Sequence, residues 1–176
     1  MKKEKKAPAS KNAKRVLIVD DHPMTRQGLM TLIEGEPDLV VGGEAESAGQ
    51  ALEAVLRDKP HLVLADISLP GKNGLELVKD MRSLSPEVPV LVISMHDEML
   101  YAERVLRAGG RGYIMKQEGG KKIMEAIRQV LDGKVYVSDK MSSQILENLS
   151  GAAQRGTHST VEHLTDREFE VFQLIG

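Results

Sequence analysis

The chain has 176 residues, of which 41 % are hydrophobic, and it contains no cysteine. This composition supports a folded core and excludes a disulfide framework and thiol catalysis. Residues 1–15 hold seven Lys/Arg and one Glu, a charge of +6, which leaves −8 for the remainder of a chain whose net charge is −2. A folded part this acidic is a poor candidate for binding a nucleic-acid backbone by itself.

Residues 1–13 are expected to form a disordered basic tail. The tail has no apolar run behind its lysines, so the sequence does not predict a signal peptide. No later stretch approaches the length of a membrane span. We therefore expect a cytoplasmic protein with no membrane partner.

Strand and helix patterns alternate over residues 14–134. Apolar runs predict five strands, at Arg15–Val19, Leu39–Glu44, Leu62–Ala65, Val88–Ile93 and Gly112–Met115. Helical patterns follow them at Pro23–Glu34, Ala48–Asp58, with Ser47 as its cap, Leu75–Leu84, Glu98–Ala108, which Gly109 stops, and Lys121–Leu131. This alternation predicts the α/β class, with a flavodoxin-like (βα)5 doubly wound parallel sheet.

The pattern changes after this alternation, and residues 135–160 are interpreted as a linker with a possible helix. Within it, Val135–Val137 is short and extended, and Asp139–Leu149 has a helical pattern. Ser150–Ser159 has the composition of a flexible segment.

A further amphipathic helix is predicted in residues 161–176, where Thr165 and Glu168 make a capping box. The sequence stops soon after this helix begins. We therefore expect a helical linker and an incomplete C-terminal helical domain after the sheet.

Three aspartates stand where two predicted strands end: Asp20 and Asp21 after strand 1, and Asp66 after strand 3. Ligands of open parallel sheets bind beyond the carboxyl ends of the strands, and the strand order 2-1-3-4-5 makes these two strands neighbours. Such carboxylates repel one another unless a divalent cation or a basic side chain offsets their charge. Magnesium prefers such oxygen ligands, and one carboxylate could then act as the nucleophile that forms an acyl phosphate.

Spacing alone does not decide which aspartate reacts, but Asp66 stands singly before a Pro-Gly loop and is expected to be the exposed one. Ser94 and Lys116 follow the ends of strands 4 and 5, so a hydroxyl and an ammonium are expected at the same pocket. A simpler interpretation has Asp21 capping the next helix and Asp66 in a turn. The histidines are not at metal-ligand spacing, and we assign no catalytic role to His22, His61 or His96.

Residues 14–134 resemble a response-regulator receiver domain of two-component signalling. The residues that carry the resemblance are Asp20-Asp21, Asp66, Pro70-Gly71 with Gly74, Ser94, and Tyr113 with Lys116. The resemblance implies that a histidine kinase transfers a phosphoryl group to Asp66. It also implies that Mg2+ is held by Asp21, Asp66 and the backbone carbonyl of Ser68, with help from Asp20.

The resemblance further implies that Ser94 and Lys116 contact the phosphoryl group. Tyr113 would be an aromatic switch that turns inward when Ser94 moves, although a half-exposed strand residue is an alternative interpretation of Tyr113. Phosphorylation would then change an output surface formed by helix 4, strand 5 and helix 5, or by helix 1 with helix 5, and a homodimer is expected on phosphorylation.

The C-terminal segment that begins at Leu164-Thr165-Asp166-Arg167-Glu168 resembles the opening of a LuxR/NarL-type helix-turn-helix domain. A helix-turn-helix reads the major groove of DNA with its second helix, which would lie beyond Gly176. We therefore expect DNA binding only through that further part, and a role in transcription regulation for the full-length protein.

Two functions from other classes remain open. A phosphatase of the haloacid-dehalogenase kind also uses Asp, Lys, a hydroxyl and magnesium, but Asp20-Asp21-His22 lacks that family's Asp-x-Asp spacing. A flavodoxin-like carrier of a nucleotide or flavin needs a phosphate-binding Gly/Ser loop after strand 1, which is absent. A receiver that acts only through protein contacts is a third possibility. We expect a switch rather than an enzyme, with slow autodephosphorylation at most.

Overall fold

The computed structural model of the chain describes residues 12–149. Its strands are β1 (Lys14–Val19), β2 (Leu39–Ala45), β3 (Leu62–Asp66), β4 (Val90–Ser94) and β5 (Gly112–Met115). They form one parallel sheet in the order β2-β1-β3-β4-β5, which confirms the predicted flavodoxin-like sheet and its strand order.

Helices alternate with these strands as the sequence predicts. They are α1 (Pro23–Glu34), α2 (Ala48–Asp58), α3 (Gly74–Leu84), α4 (Glu98–Ala108), α5 (Gly120–Leu131) and α6 (Asp139–Leu149), with a 3-10 helix at Lys116–Glu118. Ser47 caps α2 by accepting a hydrogen bond from the Gln50 amide, and Gly109 ends α4 in the left-handed conformation. Both of these ends were predicted from the residue types alone.

The chain divides into one unit up to Ser138, which contains the sheet, and another from Asp139, in which α6 is the described helix. The predicted tail up to residue 11, the flexible segment 150–159 and the helix within 161–176 lie outside the described residues. Among residues 12–149, no helix has the length and apolar composition that crossing a membrane requires.

Both faces of the sheet are buried. On one face, strand residues such as Ile18, Leu64 and Ile93 pack with Ile33 of α1 and Ile127 of α5. Their neighbours along the strands point to the opposite face, which α2, α3 and α4 cover. Burial on two faces explains why the strands are continuous apolar runs instead of alternating apolar and polar residues.

The start of β4 is the largest error in the predicted boundaries. The sequence predicts a strand from Val88, whereas the ladder with β3 begins where Val63 pairs with Val90. Val88 donates its amide to the Ser85 carbonyl in the turn after α3, and Pro89 has no amide to donate. The strand therefore starts two residues later, and it ends at Ser94.

The extended segment at residues 135–137 lies along the free edge of β5. Tyr136 forms a parallel bridge with Gly112, accepting from the Tyr113 amide at 2.9 Å and donating to the Arg111 carbonyl at 3.0 Å. A Cβ atom on Gly112 would lie 2.6 Å from the Tyr136 carbonyl oxygen, so glycine is required for this close approach. The Ser138 amide also donates to the buried Glu98 carboxylate at 2.7 Å.

Arg128 of α5 joins that helix to the turn between α1 and β2. Its guanidinium donates to Asp38 at 2.9 and 3.1 Å and to Glu36 at 2.6 Å. The hydrogen bond from Arg128 lowers the pKa of Asp38, against the smaller raising effect of burial. The three side chains are between 32 % and 54 % exposed to solvent, and this exposure limits the contribution of the network to stability.

Replacing Arg128 with methionine should lower the free energy of unfolding at pH 7 by about 0.5–1 kcal/mol. Because the folded pKa of Asp38 is depressed, its contribution is present above the unfolded pKa and is lost as pH falls through the folded value. The difference between the two proteins should therefore shrink below about pH 4. Urea unfolding at pH 7 and pH 3 measures it, and a difference that is the same at both values would contradict this account.

Candidate functional site

The acidic side chains predicted at the strand ends do meet at one place. Strands β1 and β3 are neighbours, with Val19 opposite Ala65, so Asp20 and Asp66 stand side by side at the carboxyl edge of the sheet. Ligand atoms of Asp20, Asp21, His22 and Asp66 all lie within 4.8 Å of one another. This arrangement places three carboxylates in one small cluster, whose oxygen atoms could hold a hard cation.

Lys116 enters the cluster from the 3-10 helix that follows β5. Its ammonium lies 2.6 Å from Asp20 Oδ2 and 2.7 Å from Asp66 Oδ2. Burial by itself would lower the pKa of Lys116, but the hydrogen bonds with the two carboxylates outweigh it and raise that pKa. The lysine is therefore a permanent cation beside the carboxylates, and its single positive charge offsets only part of the formal charge of three carboxylates.

Asp66 is buried, contrary to the expectation that it is the exposed aspartate. It is 3 % exposed, because it is the last residue of β3 and its carboxylate is covered by Lys116. Burial raises the pKa of Asp66, and the hydrogen bond and charge of Lys116 oppose that rise. The amide of Ser68 donates to Asp66 Oδ1 at 3.3 Å, which orients the carboxylate toward the cluster.

Asp21 is the most exposed carboxylate of the three, with 35 % of its side chain accessible. Its Oδ1 atom is nevertheless buried and accepts no hydrogen bond from the described residues. His22 is the N-cap residue of α1, so the simpler interpretation in which Asp21 caps this helix is wrong. The close polar neighbour of this oxygen is His22 Nδ1 at 2.8 Å, which makes no hydrogen bond with it, so a divalent cation in the cluster would supply the missing partner.

His22 belongs to the cluster, although the sequence spacing assigned it no role. Its Nδ1 atom lies 2.8 Å from Asp21 Oδ1 and 3.3 Å from Asp20 Oδ1, and its amide donates to Asp20 Oδ1 at 2.8 Å. The ring is 65 % exposed. Residue spacing did not indicate this proximity, because the turn between β1 and α1 folds the His22 ring back over the two aspartates that precede it.

Ser94 and Tyr113 are joined through His96. Ser94 is fully buried at the end of β4, and its hydroxyl accepts a hydrogen bond from the His96 amide at 3.1 Å. The Tyr113 hydroxyl donates to the His96 carbonyl at 2.9 Å. Burial raises the pKa of Tyr113, although a hydrogen bond with Ser94 opposes the rise. The Tyr113 ring is fully buried, which rules out the half-exposed interpretation.

His96 also reaches the loop after β3. Its Nε2 atom lies 3.0 Å from Ser68 Oγ, and its ring is 5.1 Å from the Tyr101 ring, measured between centroids. His96 was assigned no catalytic role because it is not at metal-ligand spacing, and its contacts with Ser68 and Tyr113, which are distant in sequence, could not be inferred from spacing. The Ser68 backbone carbonyl remains a predicted cation ligand.

Arg26 is a further residue at this site that the sequence analysis did not identify. It lies in α1, is 9 % exposed, and donates from Nη1 to the backbone carbonyl of Asp20 at 2.7 Å. The residue types do not indicate this hydrogen bond, because its acceptor is a backbone carbonyl oxygen.

The chain is similar to a known family over most of its length. The family profile described as response regulator receiver domain matches residues 16–128. The transcriptional activator protein ExaE of Pseudomonas putida is 37 % identical over 161 residues, covering 91 % of this chain and 74 % of that protein. The nitrate/nitrite response regulator protein NarL of Escherichia coli K12 is 34 % identical over 162 residues, with the same two coverages.

The chain is also similar to a solved structure of a response regulator. The LuxR-family two-component response regulator from Aurantimonas sp. SI85-9A1 superposes with a TM-score of 0.73 at 31 % identity, covering 78 % of this chain and 99 % of that one. The fold and the sequence thus point to the same group of proteins.

Proposed function

We propose that this chain, which belongs to the response regulator receiver family, accepts a phosphoryl group on Asp66 from a histidine kinase and thereby controls transcription. Its relatives are NarL-type regulators of the LuxR family. The observation that carries the proposal is the single cluster in which Asp66 lies beside two further carboxylates and a lysine ammonium.

The proposed cation is Mg2+, held by Asp20, Asp21, Asp66 and the backbone carbonyl of Ser68. The buried Oδ1 atom of Asp21 supports this assignment, because it accepts no hydrogen bond among the described residues and has only the His22 ring close to it there. Bound Mg2+ would neutralise charge on the transferring phosphoryl group. The three carboxylates supply the negative charge, and the short turn that carries Asp20 and Asp21 brings two of them to one side of Asp66.

In the proposed transfer, a carboxylate oxygen of Asp66 forms a bond with phosphorus of the kinase phosphohistidine. The phosphorus–nitrogen bond breaks, and its electron pair remains on the imidazole nitrogen of the kinase. Lys116, which lies 2.7 Å from Asp66 Oδ2, would then contact a phosphoryl oxygen, and so would the Ser94 hydroxyl. Both groups are donors that can stabilise the added negative charge.

The phosphoryl group would act as a switch because it changes the partners of Ser94. Phosphorylation replaces one negative charge on Asp66 with nearly two. If Ser94 moves toward the phosphoryl oxygens, its hydrogen bond with the His96 amide changes, and the His96 carbonyl holds the Tyr113 hydroxyl. The state of Asp66 would thus reach Tyr113 and the start of α4, a two-state element biased by local charge.

The proposed partners follow from this mechanism. They are a histidine kinase that supplies the phosphoryl group, a second copy of the chain in the phosphorylated state, and DNA through a further C-terminal part. Members of this family are signalling proteins, and we propose no turnover of a small substrate beyond slow loss of the phosphoryl group from Asp66.

Incubation with acetyl phosphate and Mg2+ should add one phosphoryl group to the wild-type protein, measured by intact-mass spectrometry. Asp66→Asn should abolish the gain, because the amide is a poor nucleophile and has lost the charge that Mg2+ and Lys116 bind. Omitting Mg2+ should reduce it strongly. A gain that persists in Asp66→Asn would move the nucleophile to Asp20 or Asp21 and would favour the phosphatase alternative.

A further inference from the structure

Arg26 connects the acidic cluster to the end of strand β2. Its side chain is 11 % exposed, and its guanidinium has three acceptors. They are the Asp20 backbone carbonyl at 2.7 Å, Glu46 Oε1 at 2.6 Å and Glu44 Oε2 at 3.3 Å. One nearly buried cation therefore holds a backbone atom of the cluster and two carboxylates from a neighbouring strand end.

The orientation of the Asp20 carbonyl affects the geometry of the cluster. It lies in the turn between β1 and α1 that presents both Asp20 and Asp21. The Asp20 amide donates to the Ala45 carbonyl at 3.1 Å, and its carboxylate accepts from the His22 amide at 2.8 Å. With Arg26 on the carbonyl, each polar group of Asp20 has a partner, and the peptide that leads to Asp21 is fixed in orientation.

The contribution of Arg26 is geometric more than electrostatic. Glu44 and Glu46 are 43 % and 59 % exposed, and they balance the guanidinium charge. A cation neutralised by two carboxylates adds little net positive potential at the cluster. What remains specific to Arg26 is the hydrogen bond to the Asp20 carbonyl, which a planar guanidinium can make while two carboxylates hold its other nitrogens.

We infer that Arg26 is a positioning residue that orients the Asp20–Asp21 turn for binding of a divalent cation. This inference rests on the proposed function, in which these aspartates hold Mg2+. It adds a residue that makes no contact with the cation but determines how well two of its ligands are placed. Precise ligand placement matters because Mg2+ demands near-octahedral geometry.

Arg128 supplies a matched control. It too is an arginine of a helix on the same face of the sheet, and its hydrogen bonds within the described part of the chain go to two carboxylates, Glu36 and Asp38. Arg26→Met and Arg128→Met both remove a guanidinium from two carboxylates and keep an aliphatic side chain. They differ in the contact with the Asp20 carbonyl, which belongs to Arg26 alone of the two, and in burial, since the Arg26 side chain is 11 % exposed and that of Arg128 is 41 % exposed.

Two measurements on the full chain test the inference. Isothermal titration calorimetry with MgCl2 should show a dissociation constant at least tenfold higher for Arg26→Met than for wild type, and a change within twofold for Arg128→Met. Hydrogen exchange of the His22 amide in the metal-free protein, measured by NMR relative to the Ile18 amide, should accelerate at least tenfold in Arg26→Met only. The second readout needs no metal and reports the turn directly.

Arg26→Lys is a second variant, to be measured in the same way if Arg26→Met does not fold. An ammonium retains the charge but cannot reproduce the three contacts of the planar guanidinium, so its dissociation constant should lie between those of wild type and Arg26→Met. Wild-type affinity in Arg26→Lys and unchanged His22 exchange would overturn the inference, as would equal affinities in Arg26→Met and Arg128→Met.

The outcomes separate this inference from the proposed function. A wild-type protein that binds Mg2+ but gains no phosphoryl group from acetyl phosphate would count against the proposed function, while the affinities of the arginine variants would still decide the role of Arg26. A wild-type protein that binds no Mg2+ in the titration would overturn both the cation site and the positioning role.

Discussion

Replacing Lys116 with methionine is expected to lower the free energy of unfolding of the metal-free protein by about 3 kcal/mol, since removing one partner of a buried ion pair leaves uncompensated charge. The ammonium lies between Asp20 and Asp66, which are both almost completely buried. Without it, the three carboxylates lose the ammonium that offsets their mutual repulsion. The variant should also be phosphorylated about tenfold more slowly, because a charge-assisted contact with the phosphoryl group is lost.

Urea unfolding with and without Mg2+ measures this effect. Mg2+ should stabilise Lys116→Met by more than it stabilises wild type, because the cation replaces the missing positive charge. Lys122→Met is the matched control: Lys122 pairs with Glu118 on the surface, and its removal should leave stability nearly unchanged.

Removing a negative charge from the cluster should change the stability of the metal-free protein in the opposite direction. Asp21→Asn removes one carboxylate and keeps the ammonium, so the metal-free protein should become more stable and should gain less from Mg2+. If Lys116→Met and Asp21→Asn both destabilise the metal-free protein equally, packing and not charge balance determines the stability of the cluster.

The sequence predicted the parts of the fold that depend on neighbouring residues. The bounds of α1, α2 and α4 were predicted correctly because Pro23, Ser47 and Gly109 mark helix ends through local chemistry. The start of β4 was wrong because Val88 is apolar and β-branched, yet its amide is used in the turn after α3. Apolar character indicates burial, but it does not show where the ladder begins.

The residues of the site were likewise predicted only in part. Asp20, Asp66 and Ser94 were found because residues at strand ends of a parallel sheet share one edge, so position along the chain gives position in space. The burial of Asp66 was not predicted, because the strand was expected to end at Ala65, whereas Asp66 is its last residue and Lys116 covers its carboxylate. Arg26 and His96 were not identified, because Arg26 binds a backbone carbonyl of Asp20 and His96 offers its own backbone carbonyl to Tyr113, and residue types do not indicate contacts through backbone atoms.

The turn that carries Asp66 depends on a glycine that allows two backbone segments to touch. Gly74 begins α3, and its amide donates to the Ile67 carbonyl at 2.8 Å. A Cβ atom at this position would lie 2.7 Å from the Ile67 Cα atom and closer still to the Asp66 carbonyl oxygen. Real Cβ atoms do not approach backbone atoms so closely, and a backbone atom cannot swing away as a side-chain end can.

Gly74→Ala is therefore expected to lower the free energy of unfolding by about 3 kcal/mol, the upper part of the usual range for overpacking. This is opposite to the usual effect of Gly→Ala in a helix, which gains up to about 1 kcal/mol. Gly28→Ala is the matched control: Gly28 lies in α1, its added methyl meets no described atom within 4 Å, and we expect a small gain. Urea unfolding of the two variants measures both.

Gly74→Ala should also slow phosphorylation of Asp66. The atoms that must move in Gly74→Ala are the Asp66 carbonyl and Ile67, next to the amide of Ser68 that orients the Asp66 carboxylate. The folded fraction of the variant should therefore gain its phosphoryl group from acetyl phosphate more slowly, whereas Gly28→Ala should match wild type. A Gly74→Ala protein with wild-type stability and rate would show that the β3–α3 turn can move without disturbing Asp66, and that the close approach at Gly74 is not needed to position it.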